Sequence, residues 1–160
     1  METILINEVK EINFNNKKNK GLFISFEGGE GSGKSTQIKL LANYLSKNNL
    51  PFILTREPGG TPVGEEIRKT LVSGKVEKLD SYSELLCFVA ARRQHLKDLI
   101  TPSLNNGQIV ICDRFVDSTI VYQSVAGKIN KSLLLELHKN FCYNLYPDLT
   151  FFLYLDPKLG

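Results

Sequence analysis

The chain has 160 residues, 42% of them hydrophobic and 23% charged, enough for one compact domain with a sizeable core. Its 20 Lys and Arg against 17 Asp and Glu leave a net charge of +3, too weak and dispersed to argue for a nucleic-acid partner, and no apolar run is long enough to span a membrane. Cys87, Cys112 and Cys142 lack metal-ligand spacing, and residues 1–20 lack the apolar core of a signal peptide, so a reduced, cytoplasmic protein is expected.

Residues 1–20 close on the Asn- and Lys-rich NFNNKKNK and hold little to bury; they read as a flexible N-terminal tail, with residues 21–160 as a single domain. LFISFEG is a short apolar run ending in glycine, the form of a strand, and Ile38, Leu41, Ala42 and Leu45 then recur at helical spacing. FILT (52–55) predicts a second strand. Leu85, Leu86, Phe88, Val89, Leu96, Leu99 and Ile100 mark a second helix, which Pro102 should stop. QIVICD (108–113) predicts a third strand, Leu133, Leu134, Leu137 and Phe141 a third helix, and LTFFLYLD (149–156) a fourth strand. Nearly continuous apolar runs suit parallel strands covered on both faces, so the alternation predicts an α/β fold with a mainly parallel sheet flanked by helices. Ligands of such sheets bind at the carboxyl ends of the strands.

The first strand and first helix are joined by Gly28, Gly29, Glu30, Gly31, Ser32, Gly33, Lys34, Ser35 and Thr36, in the pattern GxxxxGK[ST]. Glycines let several backbone N–H groups curl around one phosphate, and the following helix adds its positive end. Lys34 can reach the outer phosphates, and the Ser35 hydroxyl can bind Mg²⁺. The loop predicts a site for a nucleoside triphosphate. TREPGGT (55–61) follows the second strand and DRFVDSTIVYQ (113–123) the third, each setting an arginine beside an acid. Because guanidinium grips phosphate bidentately, two arginines at this edge suggest a second phosphorylated ligand.

With these motifs, LLCFVAARRQH and PDLTFFLYLD, the sequence resembles the thymidylate kinases in their bacterial form, from residue 21 to residue 160. The resemblance implies a P-loop nucleotide kinase, a homodimer, that transfers the γ-phosphoryl of ATP to dTMP with Mg²⁺. It assigns Arg56 to the dTMP phosphate with help from Arg114, and Asp113 to the organisation of Mg²⁺ and phosphate, so that Lys34, Arg114 and Asp113 carry catalysis. It places Phe88 against thymine, Arg92 on a thymine carbonyl, and Thr119 and Gln123 near the base. Tyr122 would crowd the sugar's 2′ position, and Glu30 would contact the 3′-hydroxyl. Phe88 and Arg92 share one helix face by spacing, although periodicity alone reads Phe88 equally as a core residue. His95 and His138 stand isolated and read as surface or helix-packing residues, since phosphoryl transfer needs no nucleophilic side chain.

The sequence departs from the family in two places. Its phosphate loop lacks the catalytic arginine that some members carry there, and the sequence stops at LDPKLG, before the lid from which bacterial members supply arginines and before the family's last strand and helix, so the domain is expected to be incomplete at the C-terminus, with weak turnover. An inactive nucleotide-binding or dimerisation fragment, or a kinase for another nucleoside monophosphate, are the alternatives. A GTPase switch is disfavoured by the absence of an NKxD motif.

Overall fold

The computed structural model describes residues 21–72 and 79–155; the N-terminal stretch read as a tail and the end of the fourth predicted strand lie outside them. Four strands, β1 (Phe23–Gly28), β2 (Phe52–Arg56), β3 (Ile109–Asp113) and β4 (Leu149–Leu153), form one sheet in the order β2-β3-β1-β4. All recorded pairings are parallel, with Ile24 opposite Ile111 and Leu149, and Ile53 opposite Val110. This is the expected fold.

Alternation along β1 explains why both faces need helices. Phe23 joins Val110, Cys112, Leu85, Val89 and Phe115 in one core, while Ile24 and Phe26 join Ile111 and Leu45 in the other. The second core is closed by α1 (Lys34–Lys47) through Ile38, Leu41 and Leu45. The first is closed by α3 (Ser81–His95) and α6 (Lys131–Phe141) through Leu85, Val89 and Leu134. Right-handed crossovers account for this division: the chain leaves β1 towards β2 but leaves β3 towards β4, on the other side of β1. The neighbouring ends of β1 and β3 therefore send their connections apart, leaving a crevice between them, where open parallel sheets bind ligands.

Three local features differ from the sequence expectations. Pro102 does not stop the second helix: α3 passes through a wide turn at Leu96–Ile100 into α4 (Thr101–Asn105). Pro102 occupies one of the first positions of α4, where its missing N–H is tolerable. A further helix, α2 (Pro62–Val72), follows β2; Thr61 caps it by accepting from the Gly64 N–H at 3.1 Å, and Pro62 starts it. After β3, DRFVDSTIVYQ turns into α5 (Val116–Thr119) and a wide helical turn at Ile120–Ala126. Leu86 and Phe141, counted among the core-facing helix positions, are exposed.

Cys112 and Cys142 are buried and Cys87 half-buried, all three as free thiols. Burial raises both buried thiols, Cys142 to about 11. His138 is buried against Phe115 and bonds the Leu145 carbonyl through Nε2 at 2.8 Å, a helix-packing role. His95 is also buried, which removes the surface reading for both histidines.

Candidate active site

Two cavities open at the carboxyl edge of the sheet. The first, of about 480 Å³, is lined by Glu30, Gly31, Ser32, Gly33, Lys34, Ser35 and Thr36 of the loop after β1, and by Asp113 and Arg114. The second, of about 290 Å³, is lined by Arg56 and Arg68 on one side, Phe88 and Arg92 from α3, and Thr119, Tyr122 and Gln123 beyond β3. Asp113 and Arg114 also line this second cavity, so the two spaces meet there. This overlap at Asp113 and Arg114, at the end of β3, is what the order of β1 and β3 creates.

The loop after β1 has the geometry a phosphate cradle needs. Gly28 has φ +140°, and a Cβ there would stand 2.3 Å from the Leu153 carbonyl oxygen, so only glycine fits. Lys34 is buried and its Nζ donates to the carbonyls of Gly28 at 3.1 Å and Gly29 at 2.7 Å. Burial, and then the nearby Arg114, lowers its pKa. Ser35 and Thr36 are exposed at the start of α1. Asp113 Oδ1 is buried without a hydrogen-bond partner among the described residues. An orphaned carboxylate oxygen facing a loop with a free hydroxyl fits a hydrated divalent cation.

Arg114 is held by two elements at once. It lies at φ +69°, its N–H donates to the Phe26 carbonyl at 2.9 Å, and its guanidinium packs over Tyr122 at 5.6 Å. Beneath it, Glu27 accepts from the Phe115 N–H at 2.7 Å and from Ser118 Oγ at 2.5 Å, while Arg114 Nη1 reaches the same Ser118 hydroxyl at 3.3 Å. Glu27 thus fastens the turn after β3 to the end of β1. Sequence reasoning missed it because an acid inside an apolar strand gives no periodic signal.

Burial raises the Glu27 pKa above 4.5, against the bonds from Ser118 and Phe115. The folded protein therefore holds this proton more tightly than the unfolded chain does. The stability linked to it is fully present below pH 4.5 and is lost as pH rises through the raised folded value. Relative to Glu27→Gln, the wild-type urea midpoint should fall across that window. A difference that stays flat with pH would show that the carboxyl is not desolvated.

The second cavity holds two ion pairs of different kinds. Arg56 does not pair with its neighbour Glu57; its Nη2 meets Glu65 Oε2 of α2 at 3.1 Å, and Glu65 is itself fixed by the Gly60 N–H at 3.0 Å. That N–H bond, then Arg56, lowers the Glu65 pKa. Glu57 instead points inward. Its Oε2 accepts from Arg92 Nε at 2.6 Å and its Oε1 from His95 Nδ1 at 3.1 Å, with all three side chains buried. Arg92 Nη2 also donates to Thr119 Oγ1 at 2.7 Å, and its guanidinium lies 4.9 Å over the Phe115 ring.

Every acceptor residue expected from the sequence, apart from Glu30, lines this one cavity. Glu30 lines the loop cavity instead. Phe88 is half-buried at the cavity wall rather than in the core. Arg68, which donates to the Pro58 carbonyl at 2.9 Å, was missed together with the helix that carries it.

Residues 26–160 match the protein-family model described as thymidylate kinase. A thymidylate kinase of Rickettsia africae (strain ESF-5) is 49% identical over 142 residues, covering 89% of this chain and 68% of that protein. One of Symbiobacterium thermophilum is 46% identical over 139 residues, covering 87% and 65%. The crystal structure of thymidylate kinase from Ehrlichia chaffeensis superposes with a TM-score of 0.77 at 49% identity, covering 88% of this chain and 79% of that one. The chain thus spans about two thirds of the length of these curated relatives.

Proposed function

The chain belongs to the thymidylate kinase family, and on that premise we propose that it transfers the γ-phosphoryl group of ATP to dTMP, giving dTDP and ADP. The observation that carries this reading is the meeting of the two cavities at Asp113 and Arg114. A donor held by the glycine loop and an acceptor held by the second cavity would face each other there, in line for direct transfer.

The residues divide the work by charge. Lys34 and Arg114 offset negative charge on the moving phosphoryl group, and Arg56, oriented by Glu65, takes the acceptor phosphate. Ser35 and Asp113 would hold Mg²⁺, which would supply positive charge against the donor phosphates. Gly28, Gly29, Gly31, Ser32, Gly33 and Thr36 complete the cradle. Gln123 Oε1 is buried and unpartnered among the described residues, on the same cavity as the donor Arg92. An acceptor beside a donor suits the N3–H and carbonyl of thymine, with Phe88 against the ring and Thr119 steadying Arg92. Glu30 remains assigned to the acceptor sugar, reached from the loop side.

A cytoplasmic homodimer belongs to the same proposal. An exposed strip of α3 holding Tyr82, Leu86 and Arg93 supports the dimer, and no helix among the described residues is long and apolar enough to cross a membrane.

Calorimetry with dTMP, dUMP, AMP and GMP, with coupled ADP release, tests the assignment. Tightest binding of dTMP is expected; a preference for AMP or GMP would overturn it. The sugar gives a second test. Tyr122 is half-exposed at the cavity rim beneath Arg114. Tyr122→Ala should narrow the preference for dTMP over its ribonucleotide counterpart by about tenfold, since it removes the bulk that meets a 2′-hydroxyl. Unchanged selectivity would place the guard elsewhere.

A further inference from the structure

We infer that His95 is a positioning residue that aims Arg92 at the base of the acceptor nucleotide. The inference rests on the dTMP reading above and adds to it a residue that touches no ligand. His95 is fully buried, yet both its ring nitrogens are used, in opposite directions. Nδ1 lies 3.1 Å from Glu57 Oε1 and Nε2 lies 2.6 Å from Thr55 Oγ1. A carboxylate can only accept, so Nδ1 carries the hydrogen; Nε2 then accepts from the Thr55 hydroxyl. Glu57 thus fixes the tautomer, and the Thr55 hydroxyl, which can donate or accept, holds the ring at its other nitrogen.

Arg92 and His95 stand three residues apart on α3 and share this one carboxylate. Glu57 takes Arg92 Nε on its other oxygen at 2.6 Å, which sets the rotation of the whole planar guanidinium. Held by a single partner, the carboxylate could pivot about Arg92; gripped on both oxygens, it cannot. The loop that carries Glu57 also seats directly on the imidazole. Gly60 has φ +81°, and a Cβ there would stand 2.4 Å from His95 Nε2. A filler of the same volume would support the loop, but it would leave the second carboxylate oxygen without its donor.

Nitrogen-specific replacement separates positioning from packing. His95→Asn sets an amide nitrogen near the place of Nδ1, whereas His95→Gln reaches only towards Nε2. The readout is the affinity of the chain for dTMP relative to 5-methyl-dCMP, whose 4-amino group offers Arg92 a donor in place of a carbonyl, measured by calorimetry. The wild type should prefer dTMP, His95→Asn should stay within about threefold of that preference, and His95→Gln should lose about tenfold of it. Equal losses in both variants, following their losses in melting temperature, would overturn the inference, as would an unchanged preference in His95→Gln. Should neither variant fold, Thr55→Val removes only the hydroxyl that fixes the ring; a lowered preference supports positioning and an unchanged one overturns it. A wild type that binds no dTMP would fail differently, removing the base-reading site and this inference with it.

Discussion

Lys34→Ala should lower turnover by on the order of 10²- to 10³-fold and weaken ATP–Mg²⁺ binding, while dTMP affinity stays nearly constant. The split follows from where Lys34 sits. It lines the loop cavity and not the acceptor cavity. Its ammonium donates to the Gly28 and Gly29 carbonyls, at 3.1 and 2.7 Å, so it is poised at the loop rather than free in solvent. A nucleotide's outer phosphates offer it a stronger, charge-assisted partner than those neutral carbonyls. Alanine removes that charge where negative charge gathers during transfer. Coupled ADP release and separate calorimetry with ATP–Mg²⁺ and dTMP measure the parts. Equal loss of dTMP affinity would mean that the substitution collapses the crevice; unchanged turnover would remove Lys34 from its role.

The parts legible in the sequence were those whose physics is local. Each of the four strands announced itself as a short apolar run; for β1 and β3 the reason is burial on both faces, whereas the edge strands β2 and β4 keep the run with Leu54, Phe151 and Phe152 exposed. The glycine loop was legible because its φ values and its lysine are written into residue types. Long-range pairing was not. Arg56 and Glu57 are neighbours in sequence, but successive side chains at the end of a strand point apart. Arg56 therefore meets Glu65 at the surface, and Glu57 meets Arg92 in the interior. α2 was legible but overlooked: Val63, Ile67 and Leu71 recur at helical spacing, and Thr61 and Pro62 carried its start signal. Pro102 misled for a different reason: the wide turn before it lies in no residue type, only in how α3 and α4 share the core with β3.

Glu57→Gln should cost about 3 kcal/mol of stability, near the lower end of the range for breaking a buried pair. The side chains of Arg92 and Glu57 are only 3% and 5% exposed, and two donors converge on one carboxylate. Glutamine keeps the volume but turns one of the two oxygens into an NH₂, which must then face a donor, either Arg92 Nε or His95 Nδ1. Arg92 is left charged, buried and without its counterion. A fall in Tm on the order of 10 °C follows for a chain of this size. Glu65→Gln is the contrast: its pair with Arg56 is 54% and 38% exposed, and its loss should cost about 1 kcal/mol or less. Removing both buried partners, as Glu57→Gln with Arg92→Met, should restore part of the lost stability, because no unpaired charge remains. It should not restore dTMP binding, because the donor facing the base is gone. Urea midpoints and dTMP calorimetry on the single and double variants measure the two quantities separately. Stability and binding that recover together would mean that Arg92 matters only as the partner of Glu57 and reads nothing in the cavity.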